Sequence, residues 1–266
     1  MASCVVCHGS CRLLGEVCPL CDGVPGWPGK IPSVVELNLQ PSLRHLGSYR
    51  EIRAIHDTET VRVYQAYNSA ISKAAVAEQS FRAPAKAGTW STTRISWVKP
   101  SAVWMAYRCG WTIMKDENQA RVLALDVSRA LLEKVLMQAK VTDDSNPGEC
   151  KNYAVVVQWD PERFMSPTAQ IQRQAFTTDV KHMRSIQIGF KGREIANHTF
   201  LNPEFVKRIT DVTASFKEAH RALTASPPDL LAAAAALWPG KQEELMTVPQ
   251  ELREVLCMHE TGGWDA

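Results

Sequence analysis

The sequence lacks the short motifs that identify several common classes of enzyme. It has no G-x-x-x-x-G-K-[ST] loop and no G-x-G-x-x-G segment after a strand, which argues against a P-loop enzyme and a dinucleotide-binding Rossmann domain. The metalloprotease motif H-E-x-x-H and the hydrolase motif G-x-S-x-G are also absent. If these 266 residues form an enzyme, its site must be built from other side chains.

Long apolar runs are missing as well. The longest candidate, residues 230–238, is rich in alanine and is ended by Pro239, so it is far shorter than the roughly 18 apolar residues that a membrane-spanning helix needs. The first seven residues place Cys4 and Cys7 where a signal peptide would carry its apolar stretch. With 45% hydrophobic and 22% charged residues, we expect a folded intracellular protein, cytoplasmic or nuclear, without a membrane partner.

Acidic residues are scarce in the middle of the chain. The net charge of +2 conceals a basic centre, because residues 82–115 contain no Asp or Glu among their lysines and arginines. Residues 216–266, by contrast, carry four basic and eight acidic side chains, a net charge of −4. Cations without nearby carboxylates either face water or bind an anionic ligand such as a phosphate.

Five of the eight cysteines lie between residues 4 and 21. Cys4-Val-Val-Cys7 and Cys18-Pro-Leu-Cys21 form two C-x2-C knuckles, which together supply the four thiolates that a structural zinc ion prefers. A short segment with few apolar side chains needs such a metal in order to fold. We therefore predict a structural zinc site at Cys4, Cys7, Cys18 and Cys21. An unstructured cysteine-rich leader and a redox or haem-attachment C-x-x-C pair are the alternatives.

The chain divides by composition into four parts. Residues 1–24 form the cysteine-rich, zinc-knuckle-like segment, residues 25–48 a linker rich in proline and glycine, residues 49–224 a core domain, and residues 225–266 a helical, acidic C-terminal extension. Within the core, strand-like alternation and helix caps predict the order β-α-β-α-β-α-β-β-α, with a last helix that begins at Pro203. This order is typical of an α+β domain with a mixed β-sheet and flanking helices.

Six blocks of the core follow one another in a characteristic order. They are Arg53-Ala-Ile-His-Asp57, Val63-Tyr-Gln-Ala-Tyr67, Arg94-Ile-Ser-Trp-Val-Lys-Pro-Ser101 continuing to Trp111, Gln119-Ala-Arg-Val-Leu123, Trp159-Asp-Pro-Glu-Arg163 and Arg184-Ser-Ile-Gln-Ile-Gly189. In sequence and order these blocks resemble the domain-of-unknown-function family numbered 4291, over residues 49–213. The resemblance indicates the boundaries of the domain but implies no chemistry.

Polar side chains interrupt the otherwise apolar strands and helices of these blocks. Guanidinium groups beside aromatic rings suit a nucleotide, whose phosphates pair with arginine and whose base stacks on a ring. We therefore predict an anionic small molecule or nucleotide as ligand, although Trp97 and Trp104 are expected to pack in the core. The predicted ligand-binding residues are Arg53, Tyr67, Arg94, Lys99, Ser101, Tyr107, Arg108 and Arg184.

The layout of a strand at 61–67, a helix and a second polar, aromatic strand is similar to the opening of ADP-ribosyltransferase folds. That similarity implies that Gln65 or Tyr64 holds NAD and that Gln187, or Glu194, contacts its ribose. Gln187, Gln65 and Tyr64 are therefore the predicted catalytic residues, with NAD as the cofactor. The alternative is a non-catalytic, zinc-containing module that binds nucleic acid or protein partners.

Overall fold

The computed structural model of the protein describes residues 50–113, 115–142, 152–163, 165–166 and 184–258, together with the backbone of a short hairpin. In that hairpin, β1 (Arg12–Leu13) pairs antiparallel with β2 (Glu16–Val17). The predicted zinc ligands and the predicted linker lie outside the described residues.

Strands and helices are mixed along the rest of the described chain. The strands are β3 (Arg53–Ala54), β4 (Thr60–Tyr67), β5 (Ser96–Val98), β6 (Arg121–Ser128), β7 (Lys140–Thr142), β8 (Val155–Pro161), β9 (Arg184–Phe190), β10 (Val206–Asp211) and β11 (Glu244–Leu245). The helices are α1 (Ser69–Glu78), α2 (Arg82–Lys86), α3 (Ala102–Cys109), α4 (Arg129–Leu136), α5 (Arg193–His198), α6 (Thr213–Thr224), α7 (Leu230–Leu237) and α8 (Gln250–Val255). The predicted α+β class with flanking helices is confirmed.

Two larger sheets organise these strands. One has the order β10-β6-β4 and is antiparallel throughout. The other has the order β5-β9-β8-β7 and is mixed, because β7 runs parallel to β8 whereas the other pairs are antiparallel. A separate short pair joins β11 to β3. The mixed sheet that the sequence predicts is therefore present.

A backbone bridge joins strands of the two larger sheets at one pair of residues. Tyr64 N–H donates to the carbonyl oxygen of Lys99 at 2.7 Å, and Lys99 N–H donates to the carbonyl oxygen of Tyr64 at 3.1 Å. This bridge is isolated, so β4 and β5 touch there without forming a longer ladder. Pro100 follows and has no N–H to donate, and the chain turns into α3 at the cap residue Ser101.

Apolar side chains pack on both faces of the β10-β6-β4 sheet. Because side chains alternate along a strand, Val63 of β4 joins one buried cluster and Tyr64 joins the other. Residues after 224 contribute to both clusters, with Trp238 in the second and Leu252 in the first. Within the described residues, no helix is both long enough and apolar enough to cross a membrane.

The predicted start of the last core helix, at Pro203, is wrong. Residues 206–211 form strand β10, which pairs antiparallel with β6 and buries Val206 and Ile209. The helix begins only at Thr213, whose N–H donates to the carboxylate of Asp211 at 2.9 Å. Pairing with a distant strand therefore outweighs the local signal of a proline at a first helical turn.

Candidate ligand-binding site

A cavity of about 820 Å³ lies beside the junction of β4 and β5. Its walls come from the end of β4, the segment 88–97, helix α3 and the strands β8 and β9. This volume falls within the range of about 300–1,000 Å³ that is usual for small-molecule sites. Six of the residues predicted from the sequence line this one cavity, namely Gln65, Tyr67, Arg94, Lys99, Arg108 and Gln187.

Two predicted residues have structural contacts on the other side of the junction. Tyr64 belongs to the second apolar cluster, its ring centroid lies 6.1 Å from that of Phe216, and burial raises the pKa of its hydroxyl. Ser101 caps helix α3, where its Oγ accepts a hydrogen bond from Trp104 N–H at 3.2 Å. Both side chains stabilise the elements that frame the cavity.

Three further predicted residues lie in other surroundings. Arg53 forms a buried ion pair with Glu51. The ring of Tyr107 lies 3.7 Å from the guanidinium carbon of Arg163, a stacked cation–π arrangement. Arg184 begins β9, where its backbone forms an isolated bridge with Arg50.

Gln187 is held by two acceptors on the neighbouring strand β8. Its Nε2 donates to Gln158 Oε1 at 2.9 Å and to Asp160 Oδ2 at 2.7 Å. Gln158 lies directly opposite Gln187 in the antiparallel register, which fixes this contact. Since both amide hydrogens of Gln187 are engaged, its Oε1 is the atom left to accept a hydrogen bond from a ligand.

Tyr67 is fixed at the end of β4 by a set of hydrogen bonds. Trp90 Nε1 donates to the hydroxyl oxygen of Tyr67 at 2.9 Å, and the side chains of Ser96 and Gln65 also bond to that hydroxyl. Burial raises the pKa of Tyr67 despite these donors, so the phenol is neutral at physiological pH. The fully buried ring of Phe81 packs against Tyr67, with the two ring centroids 5.3 Å apart, and supports it from the core.

Two buried polar atoms of the lining have no hydrogen-bond partner among the described residues. They are Oε1 of Gln65, an acceptor, and Nε1 of Trp104, a donor. The two side chains are 8% and 5% exposed. An unpaired buried polar atom costs roughly 1–3 kcal/mol. Both atoms have almost no accessible surface of their own, so a ligand in the cavity can bond to either one only after the side chain turns toward the cavity.

Lys99 is the buried cation of the site. Its side chain is 3% exposed, and its Nζ lies 5.1 Å from the centroid of the Trp104 ring. Burial lowers the pKa of Lys99 to about 7, the positive charge of Arg108 acts in the same direction, and the carboxylate of Asp160 opposes them. Near neutral pH a large fraction of this amine is therefore uncharged.

Arg94 and Arg108 carry the permanent positive charge of the cavity. Both side chains are exposed to solvent, and both line the cavity. Arg108 Nη1 donates to Gln119 Oε1 at 3.0 Å, which leaves its other guanidinium hydrogens for additional contacts. The cavity thus has exposed guanidinium groups and a deeper wall of amides and aromatic rings.

Three residues of the site were not predicted from the sequence: Gln158, Asp160 and Trp90. The first two occupy alternate positions of β8, in a run of valine and tryptophan, so the polar interruption that identified Gln187 was present there too. No local sequence pattern predicts that β8 pairs with β9, however. Trp90 gave no signal, because its role depends on the hydroxyl of Tyr67.

In the ranges between residues 50 and 258 that the structure describes, no group of three or more His, Cys, Asp or Glu side chains is close enough to hold a metal ion. The predicted ligands Cys4, Cys7, Cys18 and Cys21 lie outside those ranges, so the zinc site stays a prediction.

The fold and the site define an α+β domain in which two sheets, joined at one bridge, border a polar and aromatic cavity. The chain belongs to the family described as a domain of unknown function, DUF4291, whose sequence model matches residues 51–243. The resemblance stated from the sequence is thereby confirmed, and the match extends to Glu243, beyond the predicted end at residue 213. No curated protein matches this sequence significantly.

Proposed function

We propose that the cavity binds NAD and that the protein transfers ADP-ribose from it with release of nicotinamide. One observation carries the proposal: a single cavity combines an oriented amide acceptor at Gln187, a buried unpaired acceptor at Gln65, and exposed arginines. A dinucleotide needs acceptors for its ribose hydroxyls and its carboxamide, and cations for its pyrophosphate. The arrangement meets each of these needs.

Gln187 positions the ribose in this function. Its Oε1 accepts a hydrogen bond from a hydroxyl of the nicotinamide ribose, while Gln158 and Asp160 hold its Nε2 in place. An amide does not ionise at physiological pH, so Gln187 orients the sugar without acting as a base. Fixing the sugar favours breakage of its bond to nicotinamide, which departs as a neutral molecule with the bonding electron pair. Water or another nucleophile bonds to the ribose carbon and releases its proton to the solvent.

Gln65 and the aromatic wall hold the nicotinamide half. Gln65 lines the cavity, and its unpaired Oε1 accepts a hydrogen bond from the carboxamide N–H₂ once the side chain turns toward the bound nicotinamide. Tyr67 and Trp90, which are joined by a hydrogen bond at 2.9 Å, offer apolar ring surface beside it. Arg94 and Arg108 then pair with the pyrophosphate.

Release of nicotinamide from NAD by the full-length protein tests this function. We expect Gln187→Ala to lower the rate by about 100-fold, the usual effect of removing one hydrogen bond that a transition state requires. Gln138→Ala, at an exposed position after α4, and Cys18→Ser should leave the rate unchanged. If the wild-type protein releases no nicotinamide, or if Gln187→Ala and Gln138→Ala behave alike, the proposed function is wrong.

The second candidate is a non-catalytic module that binds nucleic acid, with structural zinc at the N-terminal cysteines. The exposed positions of Arg94 and Arg108 favour it, because exposed cations can pair with a phosphate backbone. In this case the affinity for an oligonucleotide falls steeply with salt, Arg94→Gln reduces the slope by about one counterion, and no nicotinamide is released. Metal content measured on the same sample tests the zinc site.

A further inference from the structure

Lys99 occupies an unusual place for a lysine. Both of its backbone groups are bonded to Tyr64, at 2.7 and 3.1 Å, so its main chain is fixed at the only point where the β4 and β5 ladders touch. Lys99 lines the cavity, and because the residue is only 3% exposed, a small part of it faces the open space. The bridge thus anchors the backbone of Lys99 at the wall of the cavity.

The charged and titratable groups around Lys99 are of mixed sign. Arg108 and Cys109 come from helix α3, and Asp160 comes from β8. The ring of Trp104 covers the amine at 5.1 Å and limits its hydration. Desolvation and a cationic neighbour are two conditions that make a lysine amine nucleophilic near neutral pH, and both are present.

We propose that Lys99 is a nucleophilic amine that forms an imine with phosphorylated aldehydes bound in the cavity. Nζ bonds to the carbonyl carbon of the aldehyde, and the carbonyl oxygen leaves as water with the two hydrogens of the neutral amine. No oxidant or reductant takes part. Arg94 and Arg108 supply the cations that hold the phosphate of the aldehyde.

This reaction is independent of the transferase function, because it requires neither NAD nor Gln187. ADP-ribose, the hydrolysis product in the proposed function, belongs to the same chemical class once its ribose ring opens to the aldehyde. Labelling of Lys99 without release of nicotinamide supports the nucleophilic amine and contradicts the transferase function. Release of nicotinamide without labelling of Lys99 supports the transferase function and contradicts the nucleophilic amine.

The test uses pyridoxal 5′-phosphate as the probe. The full-length wild-type protein is incubated with it at pH 7, reduced with borohydride, and digested for peptide mapping by mass spectrometry. At that pH about half of an amine with a pKa of about 7 is neutral, compared with about one in 2,500 for an ordinary lysine. We expect Lys99 to be labelled at least 10-fold faster than the exposed Lys73 and Lys134.

Three controls separate a site from general lysine chemistry. Lys99→Arg should abolish the imine absorbance at pH 7, whereas Lys134→Arg should keep it. Arg94→Gln should slow labelling by pyridoxal 5′-phosphate but not by pyridoxal, which has no phosphate. Arg94 is preferred to Arg108 here, because the charge of Arg108 also lowers the pKa of Lys99.

Labelling of Lys99 in wild type that is no faster than that of Lys73 would overturn the proposal. This comparison needs no variant, so the folding of a Lys99 substitution does not affect it. The midpoint of the labelling rate against pH should lie near 7, and a midpoint near 10 would also count against the proposal.

Discussion

Replacing Glu243 by glutamine should remove a pH dependence of stability that the buried position of this carboxyl group creates. Glu243 is 1% exposed, and its Oε1 accepts hydrogen bonds from Ala102 N–H at 2.7 Å and from Trp238 Nε1 at 3.0 Å. Burial raises the pKa of Glu243 to about 8, Glu162 acts in the same direction, and the two donors and Arg53 oppose the shift.

The sign of the effect follows from proton binding. Between about pH 4.5 and pH 8 the folded protein keeps a proton on Glu243 that the unfolded chain releases, so the stabilisation is largest at low pH and is lost as pH rises through about 8. Each pH unit well inside this window changes the free energy of unfolding by about 1.4 kcal/mol. From pH 6 to pH 8 the loss amounts to about 2 kcal/mol, or about 4–8 °C in Tm.

The quantity to measure is the difference in Tm between Glu243→Gln and wild type at several pH values. Lys99, whose lowered pKa makes stability rise with pH above about 7, is present in both proteins and cancels in this difference. We expect the variant to gain on wild type by 4–8 °C between pH 6 and pH 8. Glu244→Gln, at the exposed neighbouring carboxylate, should show no such trend. A difference that stays constant with pH would refute the reasoning.

Two further substitutions test one contact in each of the two larger sheets. Asp126→Asn should destabilise the protein by about 2 kcal/mol at pH 7, because its carboxylate accepts hydrogen bonds from Arg62 at 2.7 Å and Arg208 at 2.8 Å. Burial acts to raise the pKa of Asp126, but these arginines lower it. The loss in the free energy of unfolding, measured by urea denaturation, should therefore shrink below about pH 4, where the carboxylate becomes protonated. A loss that is unchanged at pH 3 contradicts this account. Gly189→Ala should cost about 1–3 kcal/mol, because an added Cβ would lie 2.7 Å from Ile95 Cδ1 and 2.8 Å from Val156 Cγ2. Ile95→Val removes the nearer atom and should restore part of that loss, whereas additive effects in the double variant would exclude the clash.

Local patterns predicted those elements whose signals lie within a few residues. The alternation of β4 and the Asn68 cap of α1 are examples, since Asn68 Oδ1 accepts from Ile71 N–H at 2.9 Å. Strand β10 escaped prediction, because it is defined by pairing with β6, about 80 residues earlier in the chain.

The residues of the site also differ in whether a local sequence signal predicts them. Gln65, Lys99 and Gln187 stood out as polar residues in apolar surroundings, and the structure brings all three to one cavity. The partners that orient Gln187 could not be identified, because the register between β8 and β9 brings them together across about 29 positions of sequence. Trp104, which was expected in the core, is buried and also borders the cavity.

The bridge between Tyr64 and Lys99 joins strands of the two larger sheets beside the cavity. Two backbone hydrogen bonds form this bridge, and the apolar cluster that holds Val63 of β4 and Ile188 of β9 also packs the two sheets together. A ligand that bonds both to Gln65 of β4 and to Gln187 of β9 links the two sheets at a second point. The amide protons of Tyr64 and Lys99 should then exchange more slowly with deuterated water when a ligand fills the cavity. Their exchange rates therefore report whether the cavity is occupied.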